Sequence, residues 1–103
     1  MMKMIQAMVR PEKEQDVVSA LEKAGFYAFT RFSAFGRGRQ RGMQAGPVRY
    51  EELSKVCFML AVEADEADRV VDTVRIAACT GNPGDGKVFI SALREARSIR
   101  KGG

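Results

Sequence analysis

Apolar and polar positions alternate along the chain with two periods, about 2 and about 3.6, and together they predict six main elements and a short terminal edge strand. Residues 4–9 alternate loosely and read as a strand. Pro11 stands where a first helical residue would, with Glu12 and Glu14 in the first turn. Val17, Ala20, Leu21 and Ala24 then fall on one helix face, and Gly25 is placed to end the helix in a left-handed conformation. Residues 26–35 are rich in aromatics and predict a second strand. Residues 55–63 predict a third, with Val56, Phe58, Leu60 and Val62 on one face and Cys57, Met59 and Ala61 on the other. Both faces are apolar, so both are expected to be covered. Asp65 is positioned to cap a second helix whose face is Val70, Val71, Val74, Ala77 and Ala78, with Gly81 as the stop. Residues 88–93 predict a fourth strand and residues 94–100 a short edge strand. The last three residues, Lys101, Gly102 and Gly103, are polar and expected to be mobile.

Strand, helix, strand, strand, helix, strand is the order of the ferredoxin-like α+β fold, βαββαβ with a four-stranded antiparallel sheet, here as a single domain over residues 1–103. Two helices cover one sheet face. The other face also carries apolar residues, Cys57 and Met59 among them, and a chain of 103 residues has nothing left to cover it. Self-association through that face is therefore expected.

Composition narrows the chemistry. The chain is 46% hydrophobic and 29% charged, which suits one ordinary core and excludes a disordered chain. Seventeen Lys and Arg against thirteen Asp and Glu give a net charge of +4. The absence of histidine removes Ser-His-Asp triads, Cys-His pairs and His-ligated metal sites within one chain. No clear general base remains, so an enzyme, such as a slow ATPase, is not the expectation. No apolar run reaches the roughly 18 residues a membrane helix needs, and no leader is visible, so a cytoplasmic protein is expected. Cys57 and Cys79 lie in apolar stretches without a CxxC spacing and read as two buried free thiols.

Two glycine-rich stretches interrupt the pattern. From 36 to 46 there are four glycines, three arginines and two glutamines. Extended to Leu53, this is a loop of roughly 15–18 residues, a length usually functional or disordered. It reads either as a solvated basic loop or as a phosphate-contacting one, because glycine admits close approach and arginine offers a forked donor. It is neither a Rossmann fingerprint nor a P-loop. The second stretch is Thr80-Gly81-Asn82-Pro83-Gly84-Asp85-Gly86-Lys87. It reads either as an ordinary helix-to-strand turn or as an anion-binding nest with Lys87 beside it. Lys55, Arg97 and Arg100 stand alone, and each reads equally as surface charge. Tyr50 is a lone loop tyrosine, open to modification or to packing. In combination these features favour a nucleotide phosphate site over a nucleic-acid groove, since no RNP-type aromatic segment occurs on a central strand.

The chain resembles the PII signal-transduction family over nearly its whole length. Lys3-Met4-Ile5-Gln6-Ala7-Met8-Val9-Arg10-Pro11 is similar to that family's first strand and helix start. Phe35-Gly36-Arg37-Gly38-Arg39-Gln40-Arg41-Gly42 resembles the base of its T-loop, which would run from about 36 to 53. Thr80-Gly81-Asn82-Pro83-Gly84-Asp85-Gly86-Lys87-Val88-Phe89 matches its B-loop, here 80–87. Ile99-Arg100-Lys101-Gly102 resembles a shortened C-loop, about 97–103. Arg37 to Gly46, Tyr50-Glu51-Glu52-Leu53 and the shortened T-loop are most similar to the nitrogenase-associated, short-loop subgroup.

The resemblance implies trimers with ATP or ADP bound in clefts between subunits. It implies Gly84, Asp85, Gly86 and Lys87 around the phosphates, Arg39 at the phosphate end, and Arg100 reaching in from the neighbour. Met8, Thr30 and Ala61 match positions near the adenine, and Gly36 and Gly38 let the loop approach. Gln40 matches a glutamine that helps hold Mg²⁺ and 2-oxoglutarate, and Lys55 a lysine that pairs with a 2-oxoglutarate carboxylate. Two positions depart from the pattern. Ser98 replaces a second C-loop arginine, with Arg97 as the nearby substitute, and the loop around Tyr50 does not predict uridylylation. The function implied is a nitrogen and energy sensor that regulates nitrogenase through its T-loop. Its target would be dinitrogenase, the molybdenum–iron protein, engaged as a homotrimer or together with a second PII-like chain. Neither nucleic acid nor membrane insertion is implied. The alternative is a general PII protein controlling an ammonium channel or a biosynthetic enzyme.

Overall fold

The structure is a computed structural model that describes the backbone of residues 1–39 and 50–100 and the side chains of residues 1–35 and 54–100. β1 (Met2–Val9) buries Ile5, Ala7 and Val9 and leaves Met4, Gln6 and Met8 half-buried on its other side. This is the two-residue alternation of a strand with one packed face. Pro11 opens a single 3-10 turn (Pro11–Lys13), and α1 (Glu14–Lys23) follows with Val17 and Leu21 buried. α1 ends as the sequence predicts. Gly25 adopts φ 91°, its N–H donates to the Glu22 carbonyl at 3.0 Å, and the Phe26 N–H donates to Leu21 at 2.8 Å. That bond pair is the Schellman closure.

β2 (Thr30–Arg39) starts later than the aromatic run suggests. Phe26 and Phe29 are spent on packing instead, since both lie against the core. The Phe29 ring sits 5.7 Å from that of Phe58, and Arg69 lies 4.5 Å over Phe26. β3 (Tyr50–Glu63) is also longer than predicted and pairs with β2 from Thr30↔Met59 to Arg39↔Tyr50. Residues 36–39 and 50–53, read from sequence as loop, therefore form a two-stranded arm. Backbone pairing sustains such a ribbon without an apolar pattern, which is why composition concealed it. Gln40 lies outside the described residues, as does the terminus 101–103.

A second 3-10 turn (Ala64–Glu66) leads into α2 (Ala67–Ala78), which buries Ala67, Val70, Val74 and Ala78. Asp65 does not cap this helix. It lies inside the 3-10 turn, and Glu63 and Glu66 hold the two cap positions without side-chain bonds. β4 (Gly86–Leu93) begins two residues before the predicted start, and residues 94–100 form no strand. The reason is the ladder itself. Leu93 pairs with Met2, where β1 begins, so a longer β4 would find no partner there.

The sheet order is β2-β3-β1-β4 and every neighbouring pair is antiparallel. Both helices pack on one face, over a core of Ile5, Val9, Leu21, Phe58, Leu60, Val70 and Val74. Cys57 is buried, and burial raises its thiol pKa. Cys79 is exposed, contrary to expectation, because it follows the last turn of α2 in an extended conformation. Among the described residues, no helix is long and apolar enough to cross a membrane.

Candidate functional site

The site is built around the turn from α2 to β4, and Asp85 organises it. One carboxylate oxygen accepts the Thr80 N–H at 2.8 Å and the Gly81 N–H at 3.0 Å. The other accepts the Thr80 hydroxyl and the Arg10 Nε–H, the latter at 3.0 Å. Asn82 N–H donates to the Thr80 hydroxyl oxygen at 3.2 Å. The turn is thus closed on itself by one side chain. Thr80 above all, with Arg10 and Gly81, holds the Asp85 carboxyl well below the usual carboxylate range, because every donor favours the ionised form.

Two cations outside the turn hold its carbonyls. Arg10 Nη2 donates to the Pro83 carbonyl at 2.7 Å, and Lys55 Nζ donates to the Gly84 carbonyl. Gly86 carries φ 115°, and a Cβ there would stand 1.7 Å from the Met8 carbonyl oxygen, so the register of β4 against β1 admits only glycine. Met8 pairs with both Cys57 and Lys87, which puts Lys87 on the sheet face that also bears Lys55. The two lysines flank β1 at the same end of the sheet, with backbones about 12 Å apart, two strand spacings across and two residues along. A cleft of about 450 Å³ opens beside the turn and takes in Cys79, Gly86 and Lys87.

The structure therefore brings Met8, Lys55, Gly84, Asp85, Gly86 and Lys87 together. Gly36, Gly38 and Arg39 lie on the arm just past Lys55, which pairs with Ala34. Three residues do not join them within one chain. Thr30 and Ala61 lie on the far half of the sheet, opposite Met59 and Met4, and Ala61 is about 13 Å along β3 from Cys57. Arg100 follows the end of β4 and is exposed. Asp85 sits in the turn as expected, but its carboxylate serves the turn's own donors. The sequence alone assigns no role to Arg10 or to Thr80. Thr80, five residues before Asp85, carries a faint signal as a hydroxyl able to open an ST-turn onto Asn82. Arg10 carries none, because its partners lie more than 70 positions away.

Comparison with known proteins agrees with this architecture. Residues 2–103 match the family model of nitrogen regulatory protein P-II. The chain is 50% identical over 101 residues to "Nitrogen fixation nifHD region GlnB-like protein 1" of Methanothermococcus thermolithotrophicus, covering 98% of this chain and 96% of the relative. It is 41% identical over 105 residues to "Nitrogen regulatory protein P-II 2" of Methanothermobacter thermautotrophicus, covering 98% and 91%. Among solved structures, Arabidopsis thaliana PII bound to citrate superposes with a TM-score of 0.77 at 29% identity, covering 99% of this chain and 83% of that one.

Proposed function

The chain belongs to the nitrogen regulatory protein P-II family, a family of signal-transduction regulators rather than enzymes, and from that premise we propose that it senses nitrogen and energy status for the control of nitrogenase. The observation that carries the proposal is the turn 80–86, closed on Asp85 and set between Lys55 and Lys87 at the root of the β2–β3 arm. Such a turn suits the phosphates of ATP or ADP. Gly84, Gly86 and Lys87 face the phosphates, Gly36, Gly38 and Arg39 close over them from the arm, and Asp85 keeps the turn in shape. Thr30, Ala61 and Arg100, distant from the turn within one chain, would reach it from a neighbouring copy, with Thr30, Ala61 and Met8 near the adenine. A trimer with clefts between subunits satisfies that need.

Gln40 would help hold Mg²⁺ beside the nucleotide phosphates, where the ion would supply a positive charge able to receive a 2-oxo acid. Lys55 would then take the far carboxylate of 2-oxoglutarate. ADP lacks the γ-phosphate and does not complete the site. The two ligand states favour different conformations of the segment from Gly36 to Leu53, and only one docks on the target. The nifHD-region names of the relatives support a link to nitrogen fixation, and on this reading the target is dinitrogenase, with a second PII-like chain as a partner, in the cytoplasm. Similarity to a P-II 2 protein favours a second reading, a general regulator of an ammonium channel or biosynthetic enzyme, and affinity purification separates the two by which partner is recovered.

Calorimetry tests the sensor. 2-oxoglutarate should bind only when ATP and Mg²⁺ are present, and Lys55→Ala should abolish that binding while ATP still binds. Binding of 2-oxoglutarate to the nucleotide-free protein contradicts the mechanism, and its survival in Lys55→Ala removes the role of Lys55.

A further inference from the structure

We propose that Arg10 is a positioning residue that aims the backbone N–H groups of the glycine-rich turn without touching the ligand itself. The inference rests on the reading of that turn as an anion site. Arg10 is the last extended residue before Pro11, with φ −62° and ψ 141°, so β1 and the proline together fix where its side chain starts. Its guanidinium then makes two bonds in different directions, Nε to Asp85 at 3.0 Å and Nη2 to the Pro83 carbonyl at 2.7 Å. It also lies under Gly84, where a Cβ would come within 3.3 Å of Nη2. Arg10 and Asp85 are both about three-quarters buried, at 27% and 24% exposure, which keeps the pair from being fully screened by solvent.

The consequence follows from peptide geometry. In a trans peptide the carbonyl and the next N–H point to opposite sides, and no cis bond occurs among the described residues. Drawing the Pro83 carbonyl toward Arg10 turns the Gly84 N–H away from that cation. Drawing the Gly84 carbonyl toward Lys55 does the same for the Asp85 N–H. Successive carbonyls are thus occupied by cations, and successive N–H groups are freed for an anion on the other side. Arg10 also compensates the Asp85 carboxylate, which would otherwise place a full negative charge within the turn that is to receive phosphate. Lysine offers a point charge and cannot span both acceptors with fixed geometry.

The experiment compares Arg10→Ala and Arg10→Lys with the unaltered protein by two readouts. The first is the amide spectrum of the ligand-free protein. Both variants should shift the Gly81 and Gly84 signals and leave Gly25, at the end of α1, unmoved. The second is ATP affinity, which should fall by about tenfold or more in Arg10→Ala, with no recovery in Arg10→Lys. Turn signals that stay in place in Arg10→Ala, or wild-type affinity in Arg10→Lys, overturn the proposal. An unaltered protein that binds no ATP overturns the nucleotide reading, while the amide signals still decide whether Arg10 sets the turn.

Discussion

Asp85 shows how one carboxylate can close a glycine-rich turn on itself. Its oxygens are taken by Thr80, Gly81 and Arg10, and the same donors depress its pKa from the ordinary 3.8. A group depressed in the folded state stabilises the fold fully above its unfolded pKa and loses that contribution as pH falls toward its folded value. Asp85→Asn keeps the shape and removes the charge. The variant should therefore melt below the wild type at pH 7, and the gap should shrink progressively once the pH drops below about 4. Thermal melts from pH 7 to pH 3 measure this, and a gap independent of pH would mean that the ion pair contributes nothing. Asp85 was legible in the sequence as a member of a special turn. Its orientation was not, because the direction of a carboxylate depends on donors brought in from β1 and from the end of α2.

At the level of elements, the parts best read from sequence are those whose pattern and packing coincide. α1 and α2 follow their apolar faces, and the Gly25 cap closes where predicted. The misreadings share one cause, that residue type was taken to imply local role. The aromatics at 26 and 29 suggested a strand, yet they pack on the core beside Phe58. The glycines and arginines at 36–39 suggested a loop, yet they continue the β2–β3 ladder. Pairing is decided by the strand opposite, which a local window does not contain. Phe58 ties these elements together, as it is fully buried at the middle of β3 and meets the Phe29 ring. Phe58→Ala should cost about 3–5 kcal/mol, the range for emptying a buried aromatic site. Urea unfolding measures it, and a loss under about 1 kcal/mol would show that the segment before β2 collapses into the space.

For the whole molecule, the decisive surface is the sheet face opposite the helices. Register sets it out in rows across the strands. Phe32, Cys57, Met8 and Lys87 form one row, and Thr30, Met59, Gln6 and Phe89 the next. Phe32 is 46% exposed and Phe89 50%, while Met8 and Met59 are half-buried, so an apolar sheet face is presented to water. The same face carries Lys55, Lys87, Thr30 and Ala61, so under the proposed function the residues one chain holds apart would be brought together by another copy. Phe89→Glu places a charge on this face at an edge strand, where the chain tolerates it. The unaltered protein should sediment at three times the 11.4 kDa of one chain, and the variant as a single folded chain by circular dichroism. ATP affinity should fall in step with dissociation, because the turn, Arg10 and Lys55 remain intact but the neighbour's residues are gone. An unchanged mass in the variant would place the interface elsewhere. A monomeric variant with full ATP affinity would show that a single chain holds the nucleotide, leaving Thr30, Ala61 and Arg100 without a part in its binding.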